Sequence, residues 1–133
     1  MICQFRINDV ALSWNEINGA KTHWRYANTK KAYLPLVRAA VNRNGIEPIP
    51  EARYPLLFWL HCEFESYSKA YDARNLGATG KLIGDCLVDL GILEDDNAKR
   101  VVGVQDTVSY PATSAFSVFT IYEAREVLPS DVL

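Results

Sequence analysis

The sequence predicts a single α+β domain over residues 1–133, a two-layer β-α-β-α-β-β arrangement with two helices packed on a mixed sheet. Three observations lead there. Residues 56–66 alternate apolar and polar positions with the period of two that marks a strand. Two segments, at about 23–42 and 79–90, repeat apolar residues every three or four positions, as amphipathic helices do. Two later apolar runs, 99–108 and 114–123, read as further strands.

Each element can be justified in turn. Residues 2–12 mix apolar positions (Ile2, Phe5, Ile7, Val10, Leu12) with polar ones and read as a first strand, and Asn15, Asn18 and Gly19 then mark a loop. The first helix carries Tyr33, Leu34, Val37, Ala40 and Val41 on its apolar side and Lys30, Lys31, Arg38 and Arg43 elsewhere. Pro35 lies inside it and predicts a kink or a restart. The stretch NRNGIEPIPEARYP, with three prolines and a glycine, is a loop. In LLFWLHCEFES, residues 56–66, Leu60, Cys62 and Phe64 alternate with His61, Glu63 and Glu65, which predicts a central strand. His61 is thereby placed on the polar face of the sheet, while Trp14 and Trp59 are expected in the core and His23-Trp24 in packing at the helix start. The second helix buries Leu82, Ile83, Cys86, Leu87 and Leu90 and stops at Gly91. Pro111 suits a turn between the last two strands.

A chain of 133 residues with 49% hydrophobic and 23% charged residues can bury a substantial core. No apolar run approaches the roughly 20 residues of a membrane-spanning helix. The start, MICQFRINDV, has no signal-peptide pattern. Cys3, Cys62 and Cys86 have neither CxxC spacing nor even number, so buried thiols in a reducing compartment are expected, with the cytoplasm as the default. The net charge is −2, but it is unevenly spread. Residues 21–53 hold seven Lys/Arg against two Glu, a net +5. Residues 63–96 hold eight Asp/Glu against three Lys/Arg, a net −5. A metal-dependent enzyme acting on a polyanion would need such a pairing of segments, and chance can also produce it.

The acidic segment contains the most informative pattern. Lys81, Asp85 and Asp89 follow one another at four-residue steps on one helix face, and Glu94, Asp95 and Asp96 come immediately before a strand. If strand, helix and strand are neighbours, Asp72, Asp85 and Asp95 or Asp96 can converge at one edge of the sheet. Carboxylates without nearby His or Cys suit Mg²⁺ or Mn²⁺ rather than zinc. The alternative is a solvated salt-bridge ladder followed by a charged turn.

The run YDARN…GKLIGDCLVDLGILEDDNAKRV resembles the core signature of the RusA-type Holliday-junction resolvases. The corresponding elements are Asp72, Asn75-Leu76, Lys81, Asp85-Cys86-Leu87, Gly91, and Asp95-Asp96 with Val101 beyond. LSWNEINGAKTHWRYANTKKAY and SAFSVFTIYE are similar to the family's opening and closing segments, so the resemblance covers most of the chain, with its specific part at residues 72–96. It implies a homodimeric, Mg²⁺-dependent endodeoxyribonuclease, with Mn²⁺ as a substitute ion, that resolves four-way DNA junctions by paired symmetric nicks in recombination and repair. Asp72, Asp85 and Asp96 would be metal ligands with Asp95 in support, and Lys81 would stabilise charge on the scissile phosphate or position the attacking water. Asn75 would shape its loop. Arg25, Lys30, Lys31 and Arg38 are candidates for phosphate contact. The chain departs from the family at Arg74, where a second Asp is expected, and in a longer segment between Asn75 and Lys81. Arg74 would either contact phosphate or leave a relative that binds branched DNA without cleaving it. A phage, prophage or cellular origin is equally open.

Overall fold

The structure is a computed structural model that describes residues 1–10, 22–70, 76–95, 97, 99–129 and 131, with the side chains of residues 22–25 excepted. The elements follow the expected order: β1 (Cys3–Ile7), α1 (Thr22–Arg43), β2 (Leu56–Glu63), α2 (Gly77–Asp89), β3 (Val101–Ser109) and β4 (Phe116–Glu123). They form a four-stranded mixed sheet in the order β1-β4-β2-β3, with two helices on it. β4 pairs antiparallel with both β1 and β2, whereas β2 and β3 are parallel and joined through α2. The long connection is required because parallel neighbours cannot be joined by a tight hairpin.

The alternation in β2 sets the two faces of the sheet. Leu56, Phe58, Leu60 and Cys62 are buried, and Leu57, Trp59, His61 and Glu63 are half-buried on the opposite side. The buried face continues through Phe5 and Ile7 of β1 and Phe119 and Ile121 of β4. The Phe119 ring lies 5.6 Å from that of Phe5 and 5.0 Å from that of Phe58. Tyr33, Val37, Ala40 and Val41 of α1 and Leu82, Ile83, Cys86 and Leu87 of α2 complete this core. Full burial of each large apolar side chain is worth roughly 1.5–3 kcal/mol, so this layer holds the helices to the sheet.

The ends of α2 follow from local chemistry. Gly91 adopts φ +76°, a left-handed conformation that glycine takes without a Cβ penalty. Its N–H donates to the Val88 carbonyl (3.0 Å), and the Ile92 N–H donates to the Leu87 carbonyl (2.9 Å). These two bonds form a Schellman cap, and Ile92 is buried beside it.

Two expectations change. α1 runs without interruption through Pro35, so no restart occurs there. Lys31 and Pro35 are both exposed, which lets water serve the carbonyl that proline leaves without its helical donor. Trp59 does not join the core between helices and sheet. It lies half-buried on the opposite face, because alternate residues of a strand point to opposite sides, and its indole N–H donates to Thr107 Oγ1 (2.7 Å). His61 stands on that polar face as expected, bonded to Thr107 Oγ1 (2.6 Å) and Ser109 Oγ (3.1 Å). The predicted loop at Asn15, Asn18 and Gly19, together with Leu12 and Trp14, lies outside the described residues, as do the side chains of His23 and Trp24.

Candidate metal and nucleic-acid site

The two helices meet in a polar seam built from matching four-residue steps. Tyr26 and Lys30 on α1 oppose Asp85 and Asp89 on α2, in the same chain direction. The Tyr26 hydroxyl donates a short hydrogen bond to Asp85 Oδ2. Lys30 Nζ lies 2.8 Å from Asp89 Oδ2, and this contact raises the lysine above its ordinary pKa. One turn earlier on α2, Lys81 Nζ stands 3.7 Å from Asp85 Oδ1. The Asp85 side chain is only 21% exposed and both of its oxygens are engaged. Of the three residues on this helix face, Lys81 and Asp89 are exposed and Asp85 is not. Asp85 is a partly buried carboxylate held in a fixed orientation by a tyrosine.

Lys81 also lines a groove of about 300 Å³ between α2 and β3. Gly77, Gly80 and Gly84 form the helix side of this groove, and Phe58, Val101, Val104 and Asp106 form the sheet side. Asp106 is paired in register with Leu60, so it stands on the helix-facing side of the sheet among apolar neighbours. Its Oδ1 is buried without a hydrogen-bond partner among the described residues, and burial raises its carboxyl above the ordinary aspartate range.

The acids that follow α2 behave differently from one another. Glu94 forms an ion pair with Arg100 Nη2 (3.1 Å), and Arg100 is also bonded to Glu51. The Arg100 guanidinium holds the Glu51 carboxyl below its usual range. Arg100 thus ties the turn at Glu94 to the loop before β2. Asp95 is exposed beyond the C-terminal end of α2 and accepts a hydrogen bond from Asn97 Nδ2 (3.0 Å). Among the described residues, no three His, Cys, Asp or Glu side chains gather in a metal-binding group. Asp72, Arg74, Asn75 and Asp96 lie outside the described residues, and so does the side chain of Arg25. The structure therefore brings Lys81 and Asp85 together and places Asp95 separately.

Of the basic positions on α1, Lys30 is committed to Asp89, whereas Lys31 and Arg38 are exposed. Seven residues apart, these two share one side of the helix. The three thiols are free. Burial pushes Cys62 up to about 12 and both Cys3 and Cys86 up to about 11, so all three hold their protons at neutral pH.

Sequence reasoning missed Tyr26 and Asp106. The matching steps Tyr26–Lys30 and Asp85–Asp89 were a usable signal for the first. Asp106 became visible only through the strand register, because the run VVGVQDTV does not reveal which of its residues face the helices. Among the described residues, no helix is long and apolar enough to cross a membrane. Comparison of the chain with models of known protein families and with curated proteins finds no match to either.

Proposed function

We propose that this protein is a RusA-like, Mg²⁺-dependent endodeoxyribonuclease that cuts four-way DNA junctions by paired nicks, acting as a homodimer. The observation that carries this reading is the Lys81–Asp85 pair on α2, with Asp85 fixed by Tyr26 and Lys81 facing a groove that also holds Asp106. The order of Lys81, Asp85 and Asp95-Asp96 supports it through the resemblance described above.

Each residue has a definable part in hydrolysis of a phosphodiester. Tyr26 holds the Asp85 carboxylate in one orientation through the hydrogen bond from its hydroxyl. Lys81 supplies a positive charge to the non-bridging oxygens as charge develops on the phosphate. Lys31 and Arg38 hold the DNA backbone outside the reacting centre without reading sequence. Bound Mg²⁺ would supply Lewis acidity toward the phosphate and a more acidic water. A twofold dimer would present two equivalent sites to two equivalent strands, which accounts for paired nicks.

The test compares a synthetic four-way junction with linear duplex of the same sequence, in Mg²⁺ and in chelator. Symmetric, Mg²⁺-dependent nicking of the junction is expected, with loss of about 100-fold or more in rate for both Asp85→Asn and Asp96→Asn. Equal treatment of junction and duplex, or full activity in either variant, overturns the reading. Tight junction binding without nicking in Mg²⁺ or Mn²⁺ would instead favour a non-cleaving binder of branched DNA, the alternative motivated by Arg74.

A further inference from the structure

The two edges of the sheet are finished differently. β1, at one edge, is five residues long and carries Arg6, whose carbonyl accepts a hydrogen bond from Arg43 Nη2 (3.3 Å). A short strand that bears a charge and has an edge carbonyl occupied is a poor template for a further strand. β3, at the other edge, is nine residues long, VVGVQDTVS, and holds no lysine, arginine or proline. Its one charged residue, Asp106, is half-buried on the helix-facing side and lines the groove there, so it does not stand in the path of an incoming strand. The Phe64 N–H donates to the Ser109 carbonyl (3.0 Å), and the register of β2 with β3 is unbroken from Leu57–Gly103 to Glu63–Ser109. Backbone groups of successive residues turn to opposite sides of a strand. Ser109, Thr107 and Gln105 therefore turn theirs toward β2, and Val104, Asp106 and Val108 turn N–H and C=O outward. Among the described residues, none of these outward groups has a partner. Beside them, Val102 and Val104 are 44% and 54% exposed. An edge this long, apolar and unguarded is open to strand pairing.

We propose that β3 pairs antiparallel with β3 of a second copy of this chain, across a twofold axis at Gln105, and so joins two four-stranded sheets into one. The inference places the interface of the homodimer proposed above and rests on that part of the reading, not on the nuclease chemistry. Three features select a second copy as the occupant. Gln105 is the midpoint of Val101–Ser109, so an axis there overlaps the whole strand with its symmetry mate. The same register sets Val104 opposite Asp106 of the second copy, so outward-turned residues meet in hydrogen-bonded pairs. The two Asp106 carboxylates then do not stand opposite one another, as an axis at Asp106 would make them. Finally, the pairing covers both open edges at once and leaves only the two guarded β1 edges outside, so assembly closes at two chains. A foreign strand would carry a second open edge with it.

The experiment is sedimentation equilibrium on the full chain without DNA or metal, with circular dichroism to verify folding. The wild type should be a dimer. Gln105→Lys, at an exposed position, brings two ammonium groups together at the axis, and Val104→Pro removes an outward N–H that the ladder to β2 does not use. Each should raise the dimer dissociation constant at least about tenfold, by repulsion in the first and by loss of a hydrogen bond on either side of the axis in the second. Gln105→Lys decides the matter if Val104→Pro does not fold. Gln4→Lys, on the β1 edge, should leave the constant unchanged. Oxidised Gln105→Cys should form a disulfide-linked dimer, because directly opposed residues of an antiparallel pair have close Cβ atoms, whereas the wild type with its native thiols should not. A monomeric wild type, assemblies larger than two chains, wild-type dimerisation in folded Gln105→Lys, or no cross-link in Gln105→Cys overturns the inference. The two readings fail separately. A dimer broken by Gln105→Lys in a protein that nicks no junction would remove the nuclease assignment and leave this interface. Junction nicking by a dimer indifferent to Gln105→Lys would do the reverse.

Discussion

Asp106 and Asp85 show how differently one residue type can be used in one small domain. Asp85 is partly buried but receives the Tyr26 hydroxyl on one oxygen and lies within reach of Lys81 on the other. Asp106 is partly buried and has an oxygen that receives nothing among the described residues. Its carboxyl is raised, with desolvation as the cause, so the folded protein retains this proton to a higher pH than the unfolded chain does. The stability effect follows in sign. Below the ordinary aspartate range, both states carry the proton and the carboxyl costs nothing extra. As pH rises through the ordinary range toward the raised value, the unfolded chain ionises first and stability falls. Asp106→Asn should therefore be more stable than the wild type at pH 7 in chelator, with an advantage that shrinks as pH falls and disappears at about pH 3, below the ordinary aspartate pKa of roughly 3.9. Urea midpoints at several pH values check this, and an advantage that does not change with pH would contradict it. Asp85 was legible in the sequence because its four-residue step from Lys81 lies on one helix. Asp106 was not, because the face it occupies depends on pairing with a strand more than forty positions away.

At the scale of elements, the strands and helices were largely legible because each carries its own period. β2 and α2 show this best: the alternation of Leu56, Phe58, Leu60 and Cys62 and the spacing of Leu82, Ile83, Cys86 and Leu87 are both preserved in burial. The Schellman cap at Gly91 could be read from a single residue. Pro35 was the exception. Local chemistry suggested a kink or a restart in α1, and the restart does not occur: Tyr33, Val37, Ala40 and Val41 are buried on both sides of the proline and anchor one continuous helix. Packing thus overrides the missing hydrogen bond. Pro35→Ala restores the donor at an exposed position and removes the ring, while giving the unfolded chain more freedom. The net expectation is a gain of about 1–3 kcal/mol, read from chemical denaturation at neutral pH. An unchanged or lowered midpoint would mean that proline costs nothing within this helix.

For the whole molecule, the uneven charge of the sequence takes a more specific form than its totals suggested. The basic and acidic segments are not separate poles. α1 and α2 lie side by side, and Lys30 is neutralised by Asp89 across their seam. The positive charge left for a polyanion is therefore smaller than the +5 of residues 21–53, and Lys31 and Arg38 on the outer side of α1 hold part of it. Replacing both with Glu should weaken junction binding uniformly across sequences and flatten its dependence on salt by about one to two phosphate contacts. Fluorescence anisotropy between low and physiological salt measures this, and an unaltered slope would remove α1 from the DNA-binding surface. The charge totals were legible in composition, whereas the cancellation between helices depended on how they pack.

The position of β4 carries a consequence for how the protein is made. The last strand in sequence among the described residues is an interior strand in space, inserted between β1 and β2. Among the described residues, β1 finds its sheet partner only there, with Cys3 opposite Ile121 and Ile7 opposite Ser117. While the chain is growing on a ribosome, β1 must wait for this partner until β4 has emerged, more than a hundred residues later. The helices can form early, because their hydrogen bonds are local. The sheet can close only afterwards, by joining segments more than a hundred residues apart, so its assembly is postponed until β4 has been made.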